Sequence, residues 1–163
     1  MEWIRQIGRL VLLLALQVLL FNHLQIAWLG FPMVYVLFPI NLPAQLPRWW
    51  EMLIGFVVGL LMDVWFNSLG VHIAACVAIS FLRPLLLGNL VQEIERVKDN
   101  VCSRSIGRVE YIKCAVILVV IHHFIVFSLE AWSLQNWWIV LLQTVVSSVM
   151  TLAVILGYDF LRK

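Results

Sequence analysis

The residues suited to chemistry are few, and their spacing carries the information. Gly55, Gly59 and Asp63 recur every four residues, which places them along one stripe of a helix. The glycines form a small-xxx-small surface that lets a second helix approach closely, a main source of helix association in lipid. Asp63 adds an ionisable group near the end of an apolar run, which is costly unless it faces protein or water. One reading of it is a proton or ligand site. The other is a tie for the turn Asn67-Ser68-Leu69-Gly70, the carboxylate accepting backbone N–H bonds at the start of the next helix.

A second set is His123, Phe127 and Glu130, spaced by four and three, so that the imidazole and the carboxylate share a helix face. At 1.5 Å per residue the two lie roughly 10 Å apart along the axis, too far for direct contact. Glu130 is expected at the depth of Asp63 and His72, with His123 deeper. A metal would need three or four converging ligands, whereas adjacent His122 and His123 diverge by about 100°. The expectation is a buried hydrogen-bonded cluster, with no metal and no cofactor. Thr144, Ser147, Ser148 and Thr151 follow the i, i+3, i+4, i+7 pattern of one helical face. Packing is their expected role, because a serine nucleophile needs a base and the sequence places none at that depth. Neither a Gly-x-Ser-x-Gly motif nor a pair of span-centred aspartates is present. Cys76, Cys102 and Cys114 match no zinc or redox spacing, and an odd count on the inner side of a membrane argues against disulfides.

The elements that must position these residues follow from composition. Of 163 residues 63% are hydrophobic and 12% charged, and mean hydropathy is +0.99; a soluble domain is about half apolar and a quarter charged. The chain is therefore read as one integral membrane domain. A net charge of +2 supplies no basic stripe for nucleic acid. Six apolar stretches are long enough to span, at about 7–27, 28–46, 49–66, 71–90, 112–129 and 137–156. The first resembles a secretory signal, but Asn22 and His23 stand where small cleavage-site residues belong, so it is read as an uncleaved span. The second holds Pro32, Pro39 and Pro43 and reads poorly as a regular helix; it could line a transporter cavity, form a short bent span or make a partner-binding groove.

With both termini cytoplasmic, Arg5, Arg9, Arg48, Arg96, Lys98, Arg104, Arg108, Lys113, Arg162 and Lys163 face inward, and Arg83 lies toward the inner end of the fourth span. The outer turns near 22–30, 64–71 and 130–136 then carry no Lys or Arg. Tryptophans mark the same interfaces: Trp3, Trp49 and Trp50 inside, and Trp28, Trp65, Trp132, Trp137 and Trp138 outside. Within the inner loop 91–113, Val91, Ile94, Val97 and Val101 recur at helical spacing, which fits either an interfacial amphipathic helix or a cytoplasmic continuation of the fourth span.

The run Gly55-Phe-Val-Val-Gly-Leu-Leu-Met-Asp63, followed by Ser68-Leu-Gly-Val-His72, resembles the core signature of the MreD family of bacterial rod shape-determining membrane proteins. Two basic residues before the first span, the Pro-rich second span, Phe81-Leu-Arg-Pro84, the His122-His123 to Glu130 stretch and a short basic tail extend the likeness. The resemblance implies an all-α six-helix bundle similar to the substrate-binding subunits of energy-coupling-factor vitamin transporters. It implies a non-enzymatic scaffold of the cell-elongation complex in the inner membrane, acting with MreC, MreB and peptidoglycan synthases. Gly55, Gly59, Asp63 and Gly70 would belong to the family motif. On the scaffold reading, Asp63, His123 and Glu130 hold internal geometry. The rival from another class is a vitamin-binding transporter subunit, and an intramembrane enzyme ranks last.

Overall fold

Pro32, Pro39 and Pro43 in the second apolar stretch deny it the continuous hydrogen bonding of a long helix, and the rest of the fold is arranged around that fact. The computed structural model describes residues 2–21, 30–92, 94, 97, 100–131 and 137–161. Its elements are α1 (Glu2–Leu19), a 3-10 turn (Val34–Val36), α2 (Leu37–Ile40), α3 (Arg48–Phe66), α4 (Val71–Leu90), α5 (Ser103–Ile106), α6 (Arg108–Ala131) and α7 (Trp137–Leu161). The described residues are mostly helical and form no strand. Four helices, α3, α4, α6 and α7, are long and apolar enough to cross a membrane. Their outward faces carry exposed Phe56, Leu60, Phe81, Phe124, Val145 and Val149, as expected of surfaces facing lipid.

The last four predicted spans therefore coincide with long helices, while the first two differ. Helix α1 is 18 residues long but carries Glu2, Arg5 and Arg9. Among its described residues the second stretch contains only the 3-10 turn and the four-residue α2. Instead of a spanning helix, residues 33–42 are a wholly buried, irregular chain. Helices α3 and α4 form an antiparallel hairpin, α6 packs on α4 and α7, and the buried chain lies against α1, α3, α4 and α7. Irregular backbone at membrane depth is tolerated only where protein surrounds it, and these helices are what surrounds it.

Two hydrogen bonds bring the chain ends together. Gln6 donates to Asn100 Oδ1 at 2.8 Å, and the Ser103 N–H points to Asp159 Oδ1 at 3.5 Å. The start of α1, the connection before α5 and the end of α7 thus share one end of the bundle, and the α3–α4 turn lies at the other. Helix α4 stops at Leu90, with Val91 in an extended conformation, so it does not continue outward as one helix. Residues 93, 95, 96, 98 and 99, the charged side of the expected amphipathic segment, lie outside the described residues, as do Trp28, Trp132, Arg162 and Lys163. Trp49 stacks on Trp50 and Trp137 on Trp138 at helix starts, with centroids 4.4 and 4.3 Å apart.

Candidate functional site

The polar interior is built on two scaffolds, the α3–α4 hairpin and the buried chain 33–42. Along α3, Glu51, Gly55, Gly59 and Asp63 stand at four-residue intervals and all are buried. Opposite them on α4 are His72, Cys76, Ser80 and Arg83, also buried. A Cβ added at Gly59 would lie 2.7 Å from the carbonyl oxygen of His72 and from the nitrogen of Ile73, and one at Gly55 would lie 2.8 Å from the Cys76 carbonyl. The glycine surface therefore receives α4 of the same chain.

Asp63 closes one end of this stripe. Its Oδ1 accepts the His72 N–H at 3.0 Å and the Ser68 hydroxyl, and its Oδ2 accepts the Ile73 N–H at 2.9 Å. These are orphan donors of the first turn of α4. The turn itself reverses through left-handed Asn67 (φ 54°) and Gly70 (φ 83°). Of the two sequence readings of Asp63, its bonds are those of the tie. Replacing Asp63 with Ala is expected to cost about 1–3 kcal/mol in a detergent unfolding titration, because two buried N–H groups lose their acceptor.

The opposite end is closed by a buried ion pair, with Arg83 Nη1 2.9 Å from Glu51 Oε2. The N–H is not aligned for a hydrogen bond, so the contact is a close approach of charges. Arg83 also donates from Nε to the Ile40 carbonyl at 2.9 Å and from Nη2 to the Leu42 carbonyl. Beside it, the Tyr111 hydroxyl donates to Asn41 Oδ1 at 3.0 Å. Further along the buried chain, fully buried Gln17 of α1 donates to the Pro32 carbonyl at 3.0 Å and accepts the Val34 N–H at 2.6 Å. Side chains of α1 and α4 thus satisfy backbone groups of the buried chain, and Tyr111 of α6 holds the Asn41 side chain.

At the centre, the Tyr35 hydroxyl lies 2.7 Å from His72 Nδ1 and 3.1 Å from His122 Nε2. A phenol has one proton, so it can donate to at most one of the two rings, and at least one ring must present an N–H to its oxygen. Cys76 Sγ sits 3.8 Å from the same His122 nitrogen. His123 faces elsewhere: Nδ1–H donates to the Val119 carbonyl at 2.8 Å, and Nε2 accepts the Thr151 hydroxyl proton at 3.1 Å. Thr151 in turn accepts the Met33 N–H at 2.9 Å. These partners fix the His123 tautomer, since a carbonyl can only accept. Changing Tyr35 to Phe leaves two buried imidazole nitrogens without that bond and is expected to cost about 1–3 kcal/mol, read as a lowered midpoint of thermal unfolding.

Two sequence expectations change. A base does stand beside a hydroxyl of the α7 stripe, because His123 reaches Thr151. Both are fully buried and bonded to backbone, so the pair acts as a tie between α6, α7 and Met33. Glu130 does not pack inside: it is exposed near the end of α6. There it lines a pocket of about 260 Å³ with Ser68, Leu69 and Gly70. It keeps the depth expected of it, at the level of the α3–α4 turn, and leaves the interior cluster to His72, His122 and His123. The remaining α7 hydroxyls divide, Thr144 bonding its own helix at the Val140 carbonyl (2.7 Å) while the hydroxyls of Ser147 and Ser148 are buried without a partner among the described residues.

Glu51, Arg83, Gln17 and Tyr35 carry much of this network and were not singled out as site residues. A signal existed for Glu51, since the Gly55–Gly59–Asp63 stripe extends one turn backward onto it. Among the described residues no three or more His, Cys, Asp or Glu side chains gather as a metal would require, and the cysteines are free thiols. No family model, curated protein or solved structure matches the chain.

Proposed function

We propose that the chain is a non-enzymatic scaffold of MreD type in the bacterial inner membrane, linking MreC, MreB and peptidoglycan synthases of the cell-elongation complex. The observation that carries this reading is the Gly55-to-His72 run, whose residues resemble that family's signature and here form the inner seam of the α3–α4 hairpin. The arrangement of polar groups supports it. Asp63, Arg83, His123 and Thr151 bond one another or the backbone, Tyr35 bonds His72 and His122, and the outward faces are apolar, which suits contact with lipid and with partner helices. On this reading α1 and the 28–46 stretch, with its buried chain 33–42, make the first two of six crossings. Both termini and the Lys/Arg-bearing connection 91–107 lie on the cytoplasmic side.

The vitamin-transporter reading has less behind it. Among the described residues, pockets at α1–α3, α1–α7 and the α3–α4 turn measure about 220, 120 and 260 Å³, each below the roughly 300 Å³ at which ligand pockets begin. The scaffold reading is tested by expressing the tagged chain with MreC in a rod-shaped bacterium depleted of its own MreD. Co-purification with MreC and restored rod shape are the expected results. Round cells together with no recovered MreC would remove the proposal.

A further inference from the structure

Three histidines hold two neighbouring points of the buried chain. His72 on α4 and His122 on α6 close on the Tyr35 hydroxyl at 2.7 and 3.1 Å. His123 bonds the Thr151 hydroxyl at 3.1 Å, and Thr151 Oγ1 accepts the Met33 N–H at 2.9 Å. All six residues are buried. Among the described residues, the titratable groups around the rings are Asp63 from α3, Cys76 on α4, Tyr35 from the chain and the other rings. Helix α7 presents the Thr151 hydroxyl, and Glu130 stands exposed about two turns further along α6. The Asp63 carboxylate is taken up by the Ser68 hydroxyl and the His72 and Ile73 N–H groups, so it bonds none of the rings.

A neutral imidazole suits this interior and an imidazolium does not. The hydrogen bonds can be rearranged around an extra proton, but its charge would lie in apolar protein without a bonded counter-ion. His122 and His123 have ring centroids 5.5 Å apart, so a second charge would repel the first. Once wetted, the same rings titrate near pH 6.5. Opening the cluster to water therefore takes up protons, and by linkage it becomes easier as pH falls below about 6.5. The chain gives way before the helices do: the helices keep their own backbone bonds, while the Met33 and Val34 N–H groups depend on Thr151 and Gln17 side chains. We propose that the three histidines form an acid-sensitive clasp, closed while the rings are neutral and releasing residues 33–35 from α4, α6 and α7 when they are protonated. The clasp is independent of the scaffold reading.

The test reads Cys76, a buried free thiol 3.8 Å from His122 Nε2, in the full chain in nanodiscs. A dipyridyl disulfide labels the thiols that open to water, and labelled peptides are counted by mass spectrometry. Each rate is divided by that of the same thiol in the denatured chain at the same pH, which removes the reagent's own pH dependence. Between about pH 7.5 and about pH 5 the Cys76 ratio should rise up to about 30-fold for each ring protonated, given a wetted pKa near 6.5. Cys114, equally buried on α6, should stay unlabelled, because the opening is local. Each of His72→Asn, His122→Asn and His123→Asn should take away one ring's share of the rise, so the loss of one variant to misfolding leaves the others to decide. His23→Asn should change nothing. The proposal is overturned by a Cys76 ratio that is flat with pH in the unaltered chain, by Cys114 becoming labelled together with Cys76, by a rise that survives in the interior variants, or by a rise that disappears in His23→Asn.

Discussion

Replacing Arg83 with methionine is expected to destabilise the fold by about 3–5 kcal/mol, the cost of removing one partner from a buried charge pair. The loss has two parts. Glu51, fully buried, would keep a carboxylate without its nearby cation. The carbonyls of Ile40 and Leu42 would also lose the guanidinium that caps them, although Leu42 retains the Val101 N–H at 3.2 Å. A double variant separates these parts. In many proteins a buried ion pair can be exchanged for apolar residues at little cost. Here Glu51→Leu combined with Arg83→Met should recover only the charge portion, because the Ile40 carbonyl stays unpaired at about 1–3 kcal/mol. Unfolding titrations of the two single variants and the double variant in mixed micelles give the coupling. Full recovery in the double variant would mean that Arg83 serves Glu51 alone and that the buried chain does not depend on it.

That dependence also shows what could be read from the residues in order. The four long helices follow from runs of apolar side chains, and their ends at 66, 71, 90 and 137 match the sequence because turn residues and tryptophans punctuate them. The stripe Gly55–Gly59–Asp63 was legible as one face because helix geometry alone puts it there. What covers the face was not, since the nearness of Ile73 and Cys76 is set by the hairpin register. The second apolar stretch had the composition of a span, and its prolines announced trouble, but only the surrounding helices decide that residues 33–42 become a buried thread. Gln17 held a usable signal. A glutamine inside the apolar block Leu10 to Phe21 must find partners, and the partners it finds are backbone groups of that thread. Glu130 shows the limit of the same logic, because sharing a helix face with His123 did not bring it inside once α6 had run past the end of its neighbours' cover.

The hairpin seam yields the second large effect. Gly59→Leu is expected to cost at least about 3 kcal/mol, the upper end for overpacking, because the atoms facing the new side chain are backbone. Even the single Cβ of Gly59→Ala would meet the His72 carbonyl and the Ile73 nitrogen at 2.7 Å, and neither can move without shifting the first turn of α4. That turn is held by Asp63, so relieving the clash strains the carboxylate tie as well. Gly55→Ala should cost less. Its nearest obstacle is the movable Ser80 side chain, with the Cys76 carbonyl at 2.8 Å as the rigid remainder, and adding Ser80→Ala should recover part of the loss. Gly157→Ala provides the contrast within α7: nothing lies within 4 Å of its added Cβ, so exchange for a better helix former should be neutral or stabilising by about 0.5–1 kcal/mol. The order Gly59, Gly55, Gly157 in unfolding midpoints is the expected result. A Gly59→Ala variant as stable as Gly157→Ala would mean that α3 and α4 do not approach at this seam, and the registry that pairs Glu51 with Arg83 and Asp63 with His72 would fall with it.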